Sequence, residues 1–448
     1  MYTSIIKYIL YPIGEKIIGT TMLRYLKELE ESQWWSQNEL RDLQDKKLRA
    51  LVKHAYDNVP YYHRIFTERA LSDKDIQSIE DLKKLPILTK NDIRNNFDQL
   101  TASNYKKYRP LLNATSGSTG EPLRYYITMD TISINWAGTF RGWRWAGYKL
   151  GDKRVTFGGF SLIPSKSPSL RNHLRWSIER TFPLSAVSLN IEKMALYAKK
   201  LRKYKPRFIY GYPSSICVFA DYLKELGTNY IHPIAIFTTA EVLLPHYRQR
   251  IEDSFNCRVI DCYGCYDGGP QAIECMANND YHITAEKSVI EVVDEDGILV
   301  PPGVSGEVLT TDLHNYAMPF IRYAVGDRGA LSEEECSCGR GLPLMKSIQG
   351  RTTDQITFSN GVKISGPALT LAFKNCRIKQ YQVVQEEKDK LIIKLVRIAG
   401  YSDKDSEHFL SILRAHAGIS IDIEIKFVDQ IKTTQAGKHR IVISKILK

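Results

Sequence analysis

Residues 115–123 read Thr-Ser-Gly-Ser-Thr-Gly-Glu-Pro-Leu, and this stretch decides how the rest of the chain is interpreted. Glycine lacks a Cβ atom, so its backbone amide can approach a phosphate closely, and the Ser and Thr hydroxyls add further donors. No Gly-Lys-Ser/Thr follows, which excludes a phosphate loop of the Walker type. The flanking segments, RPLLNAT and PLRYYIT, read as strands. The stretch therefore predicts a phosphate-binding loop between two strands, with a polar hairpin turn as the alternative.

The segments around this loop predict an α/β protein. Residues 20–56 show apolar residues at helical spacing, and from about residue 130 to 260 helical stretches alternate with short apolar runs such as VTFGG and AIFTTAE. Short buried strands that alternate with helices favour a sheet covered by helices. Residues 282–330 are rich in strand-forming residues and turn signals. We predict a large N-terminal domain over residues 1–350, with a helical extension over 1–60.

The last hundred residues predict a separate small module. Residues 390–398 read as a strand, residues 402–417 as an amphipathic helix, and residues 419–427 alternate between apolar and polar. Gly and polar residues cluster near residue 350, where we place the boundary. We therefore predict a small α+β C-terminal domain over residues 351–448.

The composition favours anionic partners. The 448 residues contain 62 Lys and Arg against 50 Asp and Glu, a formal charge of +12. The excess is concentrated in residues 141–210, which hold sixteen basic and three acidic residues. A solvated face is the default interpretation of this stretch, and a surface for the phosphates of coenzyme A or of a lipid- or nucleotide-linked sugar is the alternative. No recognised nucleic-acid-binding module is present, so we expect no nucleic-acid partner.

Cysteine usage and hydropathy predict a cytoplasmic protein. The first of eight cysteines is Cys217, no signal peptide is visible, and no apolar stretch approaches the length of a membrane span. The N-terminus carries a run of isoleucines within residues 5–18. This run is read as a helix packed on its own domain, and the alternative is an interfacial contact with the inner face of the membrane.

With its loop motif and the motifs that follow it in order, the sequence resembles the adenylate-forming enzymes, acyl-CoA synthetases and related ligases. Within them it is similar to the branch of phenylacetate–CoA ligase and the capsular-polysaccharide (CapK-type) proteins. The resemblance covers nearly the whole chain. It implies that the loop binds the phosphates of ATP through Thr115, Ser116, Gly117, Ser118, Thr119 and Gly120.

Two further motifs of the family carry the nucleotide and the metal. The resemblance implies that the segment containing Glu241 lines the adenine pocket. In Asp-Cys-Tyr-Gly-Cys-Tyr-Asp, residues 261–267, it implies that Tyr263 stacks on adenine beside Gly264 and that Asp267 helps to hold Mg²⁺. The family pattern has a small hydroxyl residue and Glu where this chain has Tyr266 and Asp267. A shorter carboxylate still suits a hard cation, but the phosphate contact is weakened.

The remaining motifs complete the expected active site. Tyr-Ala-Val-Gly-Asp at residues 323–327 resembles a motif whose carboxylate, here Asp327, accepts hydrogen bonds from both ribose hydroxyls. Gly-Arg-Thr-Thr-Asp at 350–354 resembles the family hinge, in which Arg351 contacts ribose or phosphate. The C-terminal segment 433–440 resembles the lysine loop, with Lys438 as the catalytic residue that neutralises charge during adenylation; the alternative is a solvated basic tail.

These motifs imply an ATP-dependent acid ligase. A carboxylic acid attacks the α-phosphate of ATP, and the resulting acyl-adenylate passes its acyl group to an acceptor, coenzyme A or a sugar precursor. The resemblance implies that the small domain rotates about the hinge between the two steps. We prefer a role in cell-surface polysaccharide biosynthesis. The alternatives are an aryl-acid CoA ligase of phenylacetate type and a nucleotide-binding homologue with impaired catalysis.

Two other groups of residues are candidates for a metal site and for the acyl pocket. Cys275 and His282, with six residues between them, and the pair Cys336 and Cys338 have the composition of a closed tetrahedral Zn²⁺ site; the alternative is unrelated buried cysteines and a surface histidine. The aromatic residues Phe157, Phe160, Tyr210 and Tyr212 could line the acyl pocket or belong to the core.

Overall fold

The structure is a computed structural model. It describes residues 2–114, 123–159, 162–163, 170–186, 189–227, 230–265, 267–351, 355–360, 362–365, 369, 373, 376–417, 421–432 and 439–446.

Helices form the N-terminal extension and cover the main sheet. In chain order the α-helices are α1 Tyr2–Ile5, α2 Tyr11–Ile18, α3 Met22–Ser32, α4 Gln37–Asn58, α5 Pro60–Glu68, α6 Lys90–Asn95, α7 Phe97–Leu100, α8 Met129–Trp145, α9 Leu170–Glu179, α10 Ile191–Tyr204, α11 Pro213–Glu225, α12 Pro245–Phe255 and α13 Asp403–Ala417. A π-helical turn, Ile6–Leu10, joins α1 to α2, and 3₁₀ turns cover Asp73–Asp75, Ile79–Lys84 and Tyr105–Tyr108.

The strands form one large sheet and three small ones. In chain order they are β1 Pro110–Ala114, β2 Arg124–Thr128, β3 Arg154–Gly158, β4 Thr181–Ser185, β5 Phe208–Gly211, β6 Ala235–Thr239, β7 Arg258–Gly264, β8 Gln271–Glu274, β9 Tyr281–Ile283, β10 Ser288–Val293, β11 Gly306–Asp312, β12 Tyr323–Ser332, β13 Leu344–Arg351, β14 Gln355–Thr357, β15 Lys363–Ser365, β16 Ile378–Glu387, β17 Lys390–Arg397, β18 Asp422–Phe427 and β19 Val442–Ser444. The large sheet has the order β10-β11-β12-β13-β9-β8-β7-β6-β5-β3-β4.

This sheet has a parallel half and an antiparallel half. Strands β4, β3, β5, β6 and β7 pair in parallel, and the pairs from β7 to β10 are antiparallel. The predicted α/β region and the predicted β-rich region are therefore halves of one sheet. In open parallel sheets, ligands bind beyond the carboxyl ends of the strands. The segments that follow β6 and β7, which contain Glu241 and Asp267, leave the sheet at that edge.

Helix α8 packs unusually closely on the sheet. A Cβ atom at Gly138 would lie 1.9 Å from the Gln271 side chain, and one at Gly142 would lie 2.2 Å from the Ile273 side chain. Two glycines one turn apart therefore let the helix approach β8. The opposite face of the sheet buries Phe157 and Ile236 against α10 and α11 in a second apolar core.

The C-terminal residues form their own sheet and core, as predicted. Strands β18, β17, β16 and β19 pair in that order, and α13 buries Phe409 and Leu413 against them. Strand β17 and helix α13 coincide with the predicted elements to within a residue. The protein thus has a large α/β domain and a small α+β domain, while the boundary at residue 350 stays a prediction.

Candidate functional site

The predicted phosphate loop connects two paired strands. Strands β1 and β2 are antiparallel, and Ala114 pairs with Arg124 at the end where the loop leaves the hairpin. The two strands predicted on either side of this stretch are therefore confirmed. The loop residues themselves, Thr115, Ser116, Gly117, Ser118, Thr119 and Gly120, lie outside the described residues.

Two other motifs meet through a pair of tyrosine–carboxylate hydrogen bonds. The Tyr263 hydroxyl donates to Oδ2 of Asp327 at 2.9 Å, and the Tyr323 hydroxyl donates to Oδ2 of Asp267 at 3.0 Å. Each bond joins one motif to the other, across 64 and 56 residues of sequence. Tyr263, Asp267 and Asp327 were selected by the sequence, and the structure brings them together. The partnership of Tyr323 with Asp267 was not anticipated.

The two carboxylates lie in a protected environment. Asp267 and Asp327 are buried, and the Cys265 thiol also contacts Oδ2 of Asp327 at 3.7 Å. Burial, followed by the negative charge of Asp327, holds the pKa of Tyr263 well above its ordinary value. The phenol therefore keeps its proton and acts as a donor that fixes the orientation of the Asp327 carboxylate. A fixed carboxylate suits recognition of adjacent sugar hydroxyls.

The end of β13, where the sequence predicts the hinge, pairs with the part of β12 that contains Asp327. In the register of β12 and β13, Arg351 lies opposite Asp327, and Gly350 lies opposite Arg328. Gly350 adopts a left-handed φ of 79°, which few other residues adopt without strain. Residues 352–354 of the hinge motif and Tyr266 lie outside the described residues.

Glu241 contacts both domains. Its Oε1 accepts a hydrogen bond from the His439 amide at 2.8 Å, and its Oε2 accepts one from the Ser214 amide at 3.2 Å. The preceding residue, Ala240, has φ of +67°, a conformation that L-residues rarely adopt. Sequence reasoning missed His439, although its position directly after Lys438 was a usable signal. Lys438 itself lies outside the described residues, so its role stays a prediction.

The four predicted metal ligands form one cluster. One ligand atom from each of Cys275, His282, Cys336 and Cys338 lies within 4.8 Å of every other. The Sγ atoms of Cys275 and Cys336 are 3.5 Å apart, and His282 Nε2 lies 3.2 Å from Cys338 Sγ. Burial lowers the pKa of His282 to about 4, so the ring is neutral at pH 7 and offers a lone pair.

The cluster joins elements that are distant in sequence. Cys275 directly follows β8, His282 lies in β9, and both other cysteines lie in the connection from β12 to β13. His282 also pairs with Leu344 at the start of β13. A tetrahedral Zn²⁺ with Zn–S bonds of about 2.3 Å needs sulfur atoms about 3.8 Å apart. The donor set and its spacing therefore fit a structural metal.

The candidate acyl-pocket residues lie on two faces of the sheet. Tyr210 lines a cavity of about 50 Å³ together with Trp136, Arg154 and Thr181. Phe157 and Tyr212 lie in the apolar core on the other face. Thr156 pairs with Tyr210, so the next residue, Phe157, points to the opposite side of the sheet, and Tyr212 follows the end of β5. Phe160 lies outside the described residues. The acyl role of these residues stays a prediction, and of the three that the structure describes Tyr210 alone borders this cavity.

The chain is similar to known proteins over most of its length. The small domain matches the family model of the CapK C-terminal domain over residues 356–445. The chain is 28% identical over 427 residues to Protein CapK of Staphylococcus aureus, which covers 91% of this chain and 90% of that protein. It is 28% identical over 372 residues to phenylacetate-coenzyme A ligase of Aromatoleum evansii, with 81% and 82% covered.

Solved structures share the fold. The chain superposes with a TM-score of 0.74 and 21% identity on 2-hydroxyisobutyryl-CoA ligase in the postadenylation state with 2-HIB-AMP, covering 92% of this chain and 90% of that one. The same ligase in the thioesterification state with 2-HIB-AMP and CoA gives a TM-score of 0.60 at 22% identity, covering 91% and 90%.

The fold and these relatives agree on the class: the chain is similar over most of its length to adenylate-forming enzymes, and it is an AMP-forming ligase. Within that class it is similar to phenylacetate-coenzyme A ligase and to CapK, and its small domain matches the CapK C-terminal domain family. The resemblance noted in the sequence is thereby confirmed.

Proposed function

We propose that this protein is an ATP-dependent carboxylic acid ligase that acts in cell-surface polysaccharide biosynthesis. It forms an acyl-adenylate and transfers the acyl group to coenzyme A or to a sugar precursor. The observation that supports this proposal best is the pair of bonds Tyr263–Asp327 and Tyr323–Asp267, which assembles two nucleotide motifs at one place. The likeness to CapK and the basic residues 141–210 support the polysaccharide role.

The chemistry consists of two displacements. A carboxylate oxygen of the acid bonds to the α-phosphorus of ATP as the bond to the β-phosphate oxygen breaks, and pyrophosphate leaves. The acceptor thiol, hydroxyl or amine then attacks the acyl carbon, loses its proton, and AMP leaves. The protein contributes mainly position and charge: Asp327 holds the ribose, the loop 115–120 holds phosphates, and Lys438 neutralises charge in the first step.

A divalent cation is part of this proposal. The buried Asp267 carboxylate, oriented by the Tyr323 hydroxyl, is a hard oxygen donor of the kind that Mg²⁺ prefers. Asp267 would hold the ion, which supplies positive charge beside the phosphates when it is bound.

Replacement of the lysine tests the proposed activity. Lys438→Ala should lower pyrophosphate release from ATP, Mg²⁺ and a responsive acid by at least about tenfold, a loss of about 1.4 kcal/mol of transition-state stabilisation. Lys432→Ala, in which an exposed lysine near the same segment is removed, is the matched control and should keep the wild-type rate. Wild-type release by the Lys438 variant would contradict the assigned role.

The acceptor and the alternatives are separated by the products. With coenzyme A present, a thioester identifies a CoA ligase; with a nucleotide-linked amino sugar, an acylated sugar identifies the polysaccharide role. If phenylacetate is the only acid of the panel that is turned over, the aryl-acid alternative is favoured. If no acid in a broad panel releases pyrophosphate while AMP still binds, the chain is the impaired nucleotide-binding homologue.

We further propose that Cys275, His282, Cys336 and Cys338 hold a structural Zn²⁺. The cluster would tie β8 and β9 to the connection before β13, which stabilises one half of the large sheet. Purified protein should contain about one zinc per chain by elemental analysis. Cys338→Ser should lose it, while Cys376→Ser, which alters a cysteine of the small domain, should retain it. Metal-free wild-type protein would reject the site.

We also propose that the protein works at the inner face of the cytoplasmic membrane through its N-terminal helix. Four isoleucines spaced by four residues are exposed on it: Ile5 by 38%, Ile9 by 51%, Ile13 by 51% and Ile17 by 78%. Ile6, on the other side, is fully buried against the large domain. None of the described helices is long and apolar enough to cross a membrane. Because one face of this helix is exposed and the other is packed on the protein, the helix would lie on the membrane surface.

The charge around these four exposed isoleucines favours binding to an anionic membrane surface. Residues 1–27 contain four basic residues and a single acidic one, Glu15, whose carboxylate accepts a hydrogen bond from the Leu23 amide. The protein should therefore sediment with vesicles of phosphatidylglycerol and phosphatidylcholine more than with phosphatidylcholine alone. Ile13→Glu should abolish sedimentation, and Ile298→Glu, at an even more exposed isoleucine outside the N-terminal helix, should not. Equal binding of both variants would reject the proposal.

A further inference from the structure

The carboxylate of Glu241 is placed between the two domains. One oxygen, Oε2, accepts the Ser214 amide of the large domain at 3.2 Å, and the other, Oε1, accepts the His439 amide of the small domain at 2.8 Å. Hydrogen bonds to an ionised acceptor are roughly twice as strong as those between neutral groups. A single side chain thus makes a charged connection across the domain interface.

The large-domain partner is the start of a helix. Ser214 lies in the first turn of α11, whose N-cap residue, Tyr212, provides no side-chain hydrogen bond to the amides of that turn. The N-terminus of a helix has a partial positive charge, which favours a carboxylate there. The left-handed conformation of Ala240 stands immediately before Glu241. Strained backbone of this kind persists where the surrounding structure requires one orientation.

The small-domain partner is anchored by its own side chain. His439 is 9% exposed, and its Nδ1 lies 3.4 Å from the Tyr247 hydroxyl of helix α12. Among the described residues, His439 Nε2 is buried without a hydrogen-bond partner. Two residues further on, Ile441 packs against both the large-domain core and the small-domain core. The segment that directly follows Lys438 is therefore fixed to the large domain.

We propose that Glu241 and His439 are positioning residues for the adenylation step. The Glu241 carboxylate joins the start of α11 to the His439 amide, and we call these two hydrogen bonds the clasp. The clasp holds the small domain in the arrangement that serves the first half-reaction. The catalytic lysine of the small domain lies one residue before His439 in the sequence. This inference rests on the proposed function. The predicted role of the backbone around Glu241 at the adenine pocket is compatible with it, because the clasp uses only the side chain.

Other observations agree with a clasp specific to one arrangement. The chain superposes better on the postadenylation state of 2-hydroxyisobutyryl-CoA ligase than on its thioesterification state, with TM-scores of 0.74 and 0.60. A second ionic contact across the interface, Lys379 to Glu225 at 3.8 Å, is exposed on both sides. Exposed pairs of this kind contribute little, so Lys379 provides a matched control.

Hydrogen exchange tests the clasp without any substrate. In Glu241→Ala the amides of Ser214 and His439 should exchange at least about tenfold faster than in the wild type, because both lose their acceptor. Glu241→Gln keeps one carbonyl oxygen and should protect one of the two amides. Lys379→Ala should match the wild type. Unchanged exchange in Glu241→Ala would overturn the proposal.

The two half-reactions test the function of the clasp. With phenylacetate, 2-hydroxyisobutyrate and anthranilate as acid probes, Glu241→Ala should lower pyrophosphate release about tenfold or more. Reaction of the matching presynthesised acyl-adenylate with coenzyme A should stay within about twofold of the wild type. Equal losses in both steps would mean a merely structural role and would overturn the inference.

The outcomes separate this inference from the proposed function. If the wild type turns over none of the acids, the proposed function is at fault, and exchange at Ser214 and His439 still decides whether the clasp exists. If Lys438→Ala loses adenylation but Glu241→Ala adenylates normally, the ligase assignment stands and the positioning role is rejected.

Discussion

At the scale of single residues, the candidate site depends on tyrosines that hold carboxylates. Tyr263 and Tyr323 each donate a hydroxyl hydrogen to an aspartate of the other motif. A buried carboxylate that lacks such a donor is poorly oriented and costly to keep charged. The hydroxyl of Tyr263 therefore affects nucleotide binding through Asp327, apart from any stacking by its ring.

Removal of that hydroxyl should weaken the use of ATP. In Tyr263→Phe the ring remains, but Asp327 loses a donor worth about 1.5 kcal/mol, so we expect the KM for ATP to rise about tenfold with a smaller effect on kcat. Initial rates of pyrophosphate release against ATP concentration measure this. Tyr61→Phe, at a buried tyrosine of helix α5, serves as the control. An unchanged KM in Tyr263→Phe would show that the hydroxyl does not act through Asp327.

The sequence predicted which residues form this site better than it predicted which of them bond to each other. Motif spacing selected Tyr263, Asp267 and Asp327 because each motif is local. The bond from Tyr323 to Asp267 depends on how β12 and β7 lie in the sheet, where three other strands separate them. Side-chain pairs formed across such long-range topology leave no periodic signal. The same reason hid the contact between Glu241 and His439, which belong to different domains.

At the scale of elements, the packing of α8 on β8 depends on glycine. In Gly142→Ala the new methyl group would overlap Cδ1, Cγ2 and Cβ of Ile273, so the isoleucine or the helix must move. We expect a loss of about 1–3 kcal/mol in the free energy of unfolding, seen as a lower urea midpoint. Gly14→Ala is the control, because nothing lies within 4 Å of its added Cβ. Alanine is the better helix former there and should raise the midpoint slightly.

Helices and long strands were predictable, and the order of the sheet was not. The apolar run in residues 390–398 is a local pattern, and β17 forms there. Strand β9 is only three residues long, and β13 is inserted between it and β12. A segment that short has no period to detect, and the insertion of β13 reflects tertiary contacts such as His282 with Leu344. The sequence therefore indicated a β-rich region without its place in the large sheet.

At the scale of the whole molecule, two buried histidines make domain docking sensitive to pH. Burial lowers the pKa of His439 to about 4. Burial also lowers that of His246 to about 4, and the positive charge of Arg250 and the nearby His439 act in the same direction. Tyr247 and Tyr381 pack around these rings, and Glu241 binds the His439 backbone. The interface therefore accepts both histidines only in the neutral form.

The sign of the effect follows from proton binding. When the domains separate, an exposed histidine has a pKa of about 6.5, so the undocked state binds more protons between pH 6.5 and 4. Docking is therefore fully stabilised above pH 6.5 and loses up to about 1.4 kcal/mol per histidine for each unit of pH below it. Acid should separate the domains before it unfolds them.

Small-angle X-ray scattering can follow this separation. The radius of gyration of the wild type should increase between pH 7.5 and 5 while the far-ultraviolet circular dichroism stays constant, because the small domain leaves the large one with both folded. The double variant His246→Asn/His439→Asn lacks both titrating groups and should show a much flatter response. Lys379→Ala keeps them and should follow the wild type. A radius of gyration that is independent of pH in the wild type, with folded protein throughout, would show that the neutral histidines do not control docking.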